Sequence, residues 1–354
     1  MRHDFTVVGS GPAGASFAFY ASNKGYKVIV YDIHEPGSKP CGWAVPGSIE
    51  HFIKIPKEFI LTEIKGFRIY LNNQLIKEHS GGHWGYIINK PGFLKYLISS
   101  SEFIRKPVRL REDLSPIGVD PREETIIAVG SIGAYGYIHK NGVEVINAVQ
   151  RILELKEPLD DVNTIEFWFD ENLIGYYWVF PRGERVVDIG VGGLESFDKL
   201  VYRLEVFTRE YLRSVKAEKS SAIKGARIIA SNVNKELFMR ERSPVVGEAA
   251  GFVYPLTGEG IRPSVASSYA LFQSIDKGVD RVSVISNIIE WISRQRKLLD
   301  RVKAVSPKTR AAVLESIPLD VFTAIGLGEL NLKKTLRIIT KMPLSVARVL
   351  KALL

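Results

Sequence analysis

The chain has 354 residues, of which 45% are apolar and 25% charged, and it carries a net charge of +9. This is ordinary globular composition with enough length for a large core and two sub-domains, and it contains no repeat array or low-complexity tract. A single cysteine argues against a disulfide framework and favours a reducing compartment, and the lack of any run of 18 apolar residues argues against a spanning helix.

The N-terminal residues predict a βαβ unit with a parallel sheet. Residues 4–8 are a short β-rich run, residues 9–14 form a glycine turn, residues 15–24 suit a closely packed helix, and residues 26–31 form a second apolar strand. The first apolar run breaks at glycine after a few residues, so we expect a buried strand rather than a signal peptide.

The next 100 residues alternate between loops and short elements. Residues 35–46 are rich in Gly and Pro and predict a loop, and two strand-like runs flank Asn72-Asn73 as a hairpin. The run "PGFLKYLISS" predicts a helix with proline in its first turn. The runs "KPVRLRED" (106–113) and "ETIIAVG" (124–130) predict strands.

Strand-like runs dominate from about residue 137 to 230, interrupted by a helix over residues 196–212, and helices are expected over 264–275 and most of 282–354. The predicted fold is therefore α/β, a Rossmann-like domain with an inserted antiparallel sheet and a helical C-terminus. The predicted nucleotide-binding domain is discontinuous and has smaller inserts at 35–85. The predicted limits are 1–130 and 236–280 for that domain, 131–235 for a β-rich substrate domain, and 281–354 for the helical region.

The first glycine loop has the spacing of a dinucleotide-binding site. Gly9, Gly11 and Gly14 follow a strand and open a helix, and Asp32 ends the next strand. Such a loop brings backbone N–H groups and a helix N-terminus to a pyrophosphate, while the acid accepts hydrogen bonds from a ribose. The alternative is a glycine turn in an α/β protein that binds no nucleotide.

A second glycine-rich loop, "GEAAGFVYPLTGEGI", spans residues 247–261. Gly258 and Gly260 are expected to expose backbone N–H groups ahead of a helix, which suits the negative edge of a flavin. A simple NAD dehydrogenase has no use for this loop. An extended dinucleotide such as FAD does, because its flavin reaches far from the pyrophosphate.

Four segments, "GSGPAG", "KPCGW", "YYWVFPRGERVVDIGVG" and "VVGEAAGFVYPLTGEGI", resemble the geranylgeranyl reductase family within the p-hydroxybenzoate hydroxylase-like flavoproteins. The resemblance covers roughly residues 4 to 275 in order. It implies FAD as cofactor, a prenyl lipid as substrate and saturation of isolated C=C bonds.

The resemblance also implies site residues. The implied cofactor-binding residues are Gly9, Gly11, Pro12, Ala13, Gly14, Asp32, Cys41, Gly42, Glu248, Pro255, Thr257, Gly258, Gly260 and Ile261. The implied substrate-binding residues are Tyr176, Trp178, Phe180 and Pro181. Two departures stand out: Leu173 occupies the position of the lipid motif's leading proline, and Val129 replaces the acid of an Asp-Gly motif, which argues against standard NAD(P)H use.

Saturating an unactivated alkene needs a hydride, a proton donor and aromatic faces that stabilise positive charge. Cys41, Tyr176 and Tyr177 are the predicted catalytic residues, and His83 and Glu259 are further candidate acids. Strand alternation puts Tyr176, Trp178 and Phe180 on one face and Tyr177 on the other. The alternatives are a buried loop cysteine, a plain aromatic core and a structural histidine, and no His/Cys spacing predicts a metal site.

Partners follow from charge and from the resemblance. Residues 331–354 contain no acid and six Lys or Arg among apolar residues, so they predict either peripheral membrane contact or a terminal helix packed on the body. We expect a cytoplasmic protein, with this segment as a candidate contact to the inner membrane surface, and no nucleic-acid partner. The electron donor is left open between NAD(P)H and a ferredoxin-like protein. The rival functions are an FAD monooxygenase or other flavin oxidoreductase, and a non-catalytic prenyl-binding protein.

Overall fold

The computed structural model describes residues 3–120, 122–138 and 143–328. The strands in these residues, numbered in chain order, are β1 (Phe5–Val8), β2 (Val28–Asp32), β3 (Ala44–Pro46), β4 (Ile60–Ile64), β5 (Gly66–Leu71), β6 (Gln74–His79), β7 (Gly85–Ile88), β8 (Glu102–Arg105), β9 (Glu124–Ile127), β10 (Val145–Leu155), β11 (Thr164–Phe169), β12 (Gly175–Pro181), β13 (Val186–Gly193), β14 (Ala217–Ser220) and β15 (Lys224–Ile229). The helices are α1 (Pro12–Asn23), α2 (Lys90–Leu97), α3 (Gly130–Tyr137), α4 (Phe197–Tyr211), α5 (Lys235–Met239), α6 (Ile261–Lys277), α7 (Arg281–Val284), α8 (Ser286–Ala304), α9 (Pro307–Ser316) and α10 (Leu319–Leu327).

A parallel sheet forms the nucleotide-binding layer, in the order β8-β2-β1-β9. Its central strand β1 is fully buried, as expected for a strand covered on both faces. Helix α1 packs on α6, where the rings of Phe17 and Phe272 meet edge to face at 6.1 Å. Val245 makes a parallel bridge to Ile127, so the chain returns to this sheet just before the second glycine loop.

A large, mostly antiparallel sheet forms the second layer, in the order β14-β10-β13-β12-β11-β5-β6, with β15 also paired to β10. One face of this sheet is covered by α4, which buries Leu200, Leu204 and Phe207 against it. The other face looks toward the nucleotide-binding layer. A small sheet, β3-β7-β4, lies beside the layers.

The α/β fold class predicted from the sequence is confirmed, since a Rossmann-like parallel sheet, an antiparallel sheet and C-terminal helices are all present. The hairpin is also confirmed, because Asn72 and Asn73 adopt the positive φ angles (48° and 66°) of a tight turn. That hairpin belongs to the large sheet, however, where Phe67 pairs in parallel with Ile165. The domain limits themselves stay a prediction.

One predicted strand was wrong. Residues 106–113 form no strand, and only an isolated bridge between Leu110 and Pro116 occurs there. The strand comes earlier, at β8, because Pro107 has no N–H to continue the ladder. The helical prediction for the C-terminal region is met as far as Leu327, and the basic segment 331–354 lies outside the described residues. Across the described ranges, no helix is long and apolar enough to cross a bilayer.

Candidate functional site

A cavity of about 1040 Å³ lies between the two layers, and both glycine loops border it. Gly11 lines it at one end and Gly258 further along, so residues 247 positions apart in sequence share one space. Such a volume is at the upper end of ligand pockets, which suits an extended dinucleotide beside a second ligand.

The first loop is shaped to receive a phosphate. A methyl group built on Gly11 would meet no atom within 4 Å, so the backbone there is open to the cavity. Gly14 does not line the cavity; a Cβ there would overlap the carbonyl oxygen of Gly9, so its role is close packing of α1 on β1. Helix α1 starts with Pro12 and has no acidic residue in its first turn, which leaves its N-terminus favourable for an anion.

Asp32 lies at the cavity end of β2, as predicted. Its Oδ2 accepts hydrogen bonds from the backbone N–H and the hydroxyl of Ser10, at 2.6 and 2.7 Å, and its Oδ1 accepts from the N–H of His34 at 3.0 Å. The carboxylate therefore anchors the glycine loop, a contact that sequence reasoning missed. Its predicted bond to a ribose stays a prediction.

In the second loop, Glu248 joins three parts of the cavity wall. Its Oε2 accepts from Lys39 Nζ at 2.6 Å, and its Oε1 accepts from the N–H of Ile229 at 3.1 Å. Lys39 Nζ also donates to Ser131 Oγ at 2.9 Å, at the start of α3. The ion pair therefore joins the loop of residues 35–46 to the second glycine loop at the wall of the cavity.

One expectation about the second loop was wrong. The backbone N–H of Gly258 is not free, because it donates to the carbonyl of Tyr254 at 2.8 Å in a tight turn where Gly258 has φ of 70°. Pro255, Thr257, Gly258, Gly260 and Ile261 nevertheless all line the cavity. The segment still presents its backbone and the start of α6 to the cavity.

The aromatic face of β12 forms an apolar wall. Tyr176, Trp178 and Phe180 line the cavity together with Phe167 of β11, whose ring lies 5.6 Å from Tyr176 and 5.7 Å from Phe180. Tyr176 donates its hydroxyl hydrogen to the carbonyl of Thr257, which ties this wall to the second glycine loop. Burial, and next the charges of Cys41 and Glu259, raise the pKa of Tyr176.

Two predicted residues of this strand point away from the cavity. Tyr177 packs its ring 4.7 Å from Phe207 of α4 and accepts a hydrogen bond from Arg203, so it lies away from the cavity in which its predicted catalytic role would place it. Pro181, predicted to bind substrate, is buried at the end of β12 and does not line the cavity. Both lie on the opposite face because side chains alternate along a strand.

The other candidate acids are also accounted for. His83 contacts Glu63 at 3.0 Å on the surface and does not reach the cavity. Both carboxylate oxygens of Glu259 accept from Arg262, at 3.1 and 2.8 Å. Within the described residues, no three His, Cys, Asp or Glu side chains converge as a metal-binding cluster.

Cys41 and Gly42 line the cavity, as predicted, beside the aromatic wall. A Cβ on Gly42 would lie 2.8 Å from the ring of Phe180, so only glycine lets this turn approach β12 so closely. The turn thereby brings the thiol of Cys41 next to the cavity. The Cys41 Sγ also accepts from the N–H of Trp43 at 3.4 Å.

Sequence reasoning missed a set of buried polar residues behind this turn. Lys90, the first residue of α2, is 4% exposed, lines the cavity and donates to the carbonyl of Lys39 at 2.6 Å. Burial lowers the pKa of its ammonium group. Arg182 and Asp188 form a buried ion pair. Arg182 continues the alternation that puts Tyr176 and Trp178 on one face of the strand, and Asp188 is an acid within an apolar strand sequence. Both features are visible in the sequence and could have pointed to these residues.

These residues fit FAD. The open backbone at Gly11, the acid-free N-terminus of α1 and the continuous cavity from there to residues 257–261 match an anionic, elongated dinucleotide. The cations Lys39 and Lys90 lie along the same wall, where they can offset phosphate charge.

Comparison with known proteins agrees with this geometry. Residues 7–49 match a family model described as an NAD(P)-binding Rossmann-like domain. The chain is 28% identical to a digeranylgeranylglycerophospholipid reductase of Methanococcus vannielii, over 73% of each chain. It is 25% identical to the protein of that name from Methanocaldococcus jannaschii, over 96% of each. The predicted resemblance to geranylgeranyl reductases is confirmed.

Solved structures share the fold. A geranylgeranyl bacteriochlorophyll reductase-like protein of Thermoplasma acidophilum superposes with a TM-score of 0.74 at 21% identity, covering 99% of both chains. A probable FAD-dependent monooxygenase of Pseudomonas aeruginosa superposes with a TM-score of 0.60 at 12% identity, covering 88% of this chain and 99% of its own. The flavoprotein fold predicted from the sequence is confirmed.

Proposed function

We propose that this chain is an FAD-dependent reductase that saturates C=C bonds of a geranylgeranyl-type prenyl lipid. The observation that carries the proposal is the shared cavity, which both glycine loops and the aromatic face of β12 border. The reductase name of the curated relatives supports a prenyl lipid as the substrate class.

The residues that would hold the cofactor follow from their places along the cavity. Residues 9–13, at the N-terminus of α1, would hold the pyrophosphate, Asp32 the ribose and Glu248 the ribityl side, while residues 257–261 would flank the isoalloxazine ring. Reduced FAD, when bound, supplies a hydride. The ring would then lie beside Cys41 and the aromatic wall.

The aromatic wall has two tasks in this proposal. Tyr176, Trp178 and Phe180 give an apolar surface that excludes water and accepts a prenyl chain. Their ring faces also stabilise positive charge, which develops on an isolated alkene when a proton reaches one of its carbons. The cavity continues past Phe169 to Leu314 and Phe322 of the C-terminal helices, which gives the rest of a long chain an apolar path.

We propose Cys41 as the group that holds the proton. The hydroxyl hydrogen of Tyr176 is committed to the Thr257 carbonyl, and Glu259 is bound on both oxygens by Arg262. Cys41 lines the cavity beside the wall. Its S–H can therefore face an alkene lying along β12.

The decisive experiment is mass spectrometry of lipids after incubation with the dithionite-reduced holoprotein. Prenyl alcohols, phosphates, glycerolipids and quinones are offered in parallel, and a gain of two hydrogens per double bond is expected for at least one of them. The matched control is the oxidised holoprotein, which should leave every mass unchanged. No mass gain in any lipid would refute the reductase proposal.

An FAD monooxygenase is the second candidate, since solved neighbours of the same fold include one. Oxygen-dependent oxidation of NADPH in the presence of an aromatic substrate would favour it. A non-catalytic prenyl-binding protein is less well supported, because the open glycine loop fits a bound nucleotide.

The electron donor, NAD(P)H or a ferredoxin-like protein, is assigned by testing each in place of dithionite. For the proposed cytoplasmic location with peripheral membrane contact, vesicle co-sedimentation is the test.

A further inference from the structure

The turn formed by Cys41, Gly42 and Trp43 has an unusual backbone. Trp43 has φ of 64°, in the left-handed region that a bulky residue rarely adopts. A conformation of this kind costs free energy and persists only where the surroundings hold it in place. The contacts around Trp43 therefore show what holds the turn.

Arg182 makes two contacts with the turn. Its Nη2 donates to the carbonyl of Cys41 at 2.9 Å, and its guanidinium lies over the ring of Trp43, 3.6 Å from the centroid. The Arg182 side chain is 8% exposed. A planar guanidinium can stack flat on an indole while it donates within its own plane, whereas an ammonium has no plane to stack.

Asp188 links Arg182 to the aromatic wall. This carboxylate is fully buried, its Oδ1 accepts from the indole N–H of Trp178 at 2.8 Å, and its Oδ2 accepts from Gln150 Nε2 at 2.9 Å. It also forms the ion pair with Arg182. One buried anion thus joins the cysteine turn to the wall on which the lipid would lie.

Stability alone is a poor explanation for this pair. Burial raises the pKa of Asp188 and lowers that of Arg182, so both charges are held at a cost, and a buried ion pair is often no more stable than an apolar replacement. Its neighbours Cys41, Trp43, Trp178 and Gln150 all line the cavity. The ion pair therefore lies directly behind the residues that line the cavity, where it can hold them in position.

We propose that Arg182 and Asp188 are positioning residues that fix the Cys41–Trp43 turn against the aromatic wall. The expected effect on kcat rests on the proposed reductase function. The effect on the position of the Cys41–Trp43 turn does not depend on that function, and it can be measured without a lipid. When the pair is broken, the thiol of Cys41 moves relative to the wall and becomes easier to reach.

The first test is alkylation of Cys41 by iodoacetamide in the folded holoprotein, because Cys41 is the single cysteine of the chain. Arg182→Lys keeps the charge beside Asp188 but loses the stack, and we expect at least fivefold faster labelling. Asp188→Asn should act likewise. The matched control is Arg203→Lys, which alters a partly buried arginine paired with Glu195 on the covered side of the large sheet and should label at the wild-type rate.

The second test is rescue. Arg182→Ala should label fast and lose at least tenfold in kcat, and added guanidinium ion at low millimolar concentration should restore both in part, whereas methylammonium should not. Wild-type labelling in both Arg182→Lys and Asp188→Asn would overturn the proposal, as would equal acceleration in Arg203→Lys. An Arg182→Lys chain that fails to fold while Arg203→Lys folds would assign the pair to global stability and overturn it as well.

The outcomes separate this proposal from the proposed function. Faster labelling in the variants, with no lipid reduced by the wild type, would support the positioning role and refute the reductase. Lipid reduction by the wild type, with unchanged labelling and unchanged kcat in the variants, would support the reductase and refute the positioning role.

Discussion

The hydroxyl of Tyr176 donates to the backbone carbonyl of Thr257, and this bond joins the aromatic wall of the large sheet to the second glycine loop. The two layers meet at the cavity through a buried contact 81 residues apart in sequence. A buried hydroxyl leaves its acceptor unpaired when removed, so the contact has a measurable effect on stability.

Tyr176→Phe should lower the free energy of unfolding by about 1 kcal/mol, the usual range for one buried neutral hydrogen bond. Turnover should also fall, because the loop beside the flavin site loses an anchor. Urea denaturation and lipid reduction assays give the two values. Tyr177→Phe is the matched control: its ring faces α4, so kcat should stay within about twofold of wild type. A larger loss of kcat in Tyr177→Phe would contradict the placement of Tyr177.

Gly11→Ala should weaken FAD binding, whereas Gly14→Ala should destabilise the apoprotein. A methyl group at Gly11 meets no protein atom, so the apoprotein should keep its thermal midpoint while FAD affinity falls about tenfold or more, equal to about 1.4 kcal/mol. At Gly14 the methyl overlaps the backbone of Gly9, so the apoprotein itself should be destabilised. Calorimetry and flavin fluorescence titration distinguish the two. Unchanged FAD affinity in Gly11→Ala would exclude this loop as the phosphate site.

Asp188 should give the protein a distinctive pH dependence. Burial outweighs Arg182 and raises the pKa of Asp188 from 3.8 to about 6. Between pH 4 and 6 the folded chain therefore keeps a proton that the unfolded chain has released, so stability falls as the pH rises through this window. The fall attributable to Asp188 is at most about 3 kcal/mol.

The measurement is urea denaturation of the wild type and Asp188→Asn at pH values from 4 to 7. Because the amide does not titrate, the difference between the two free energies of unfolding should change across this window, to the disadvantage of the wild type at pH 7. Parallel pH profiles for the two proteins would show that folding does not raise the pKa of Asp188, and they would contradict the prediction.

Lys90→Met should separate cofactor binding from stability. Lys90 is 4% exposed and burial lowers the pKa of its ammonium group, so replacing it by an apolar side chain of similar length should leave the apoprotein within about 1 kcal/mol of wild type or make it more stable. FAD affinity should fall about tenfold, since a cation beside the anionic cofactor is lost. Lys95→Met, on the exposed side of the same helix, should change neither value. Equal FAD affinity in Lys90→Met and wild type would remove Lys90 from the cofactor site.

Local patterns were enough to predict part of this site. The spacing of Gly9, Gly11 and Gly14 lies within one βαβ unit, and strand alternation alone puts Tyr176 and Trp178 on one face. The same alternation should have rejected Tyr177 as a cavity residue. Arg182 continues this alternation and could have been predicted as a residue on the cavity side of the strand.

Other features depend on contacts between distant segments, which no local pattern encodes. Lys90 is an ordinary first-turn lysine in sequence, and its burial arises because the loop carrying Lys39 folds over it. The parallel pairing of β5 with β11 joins segments almost 100 residues apart. The hydrogen bond of the Gly258 N–H depends on the shape of its turn, which the run of glycines alone did not reveal.

The pairing of β5 with β11 also limits how this protein can be recombined. The hairpin of residues 66–79 is contributed by the N-terminal third of the chain, yet it completes the sheet that carries the aromatic wall. A chimaera joined at residue 131 would therefore pair β5 of one parent with β11 of the other, and a poor match there would leave an exposed strand edge that favours aggregation. Exchanging substrate modules between relatives requires moving two separate stretches of the gene together.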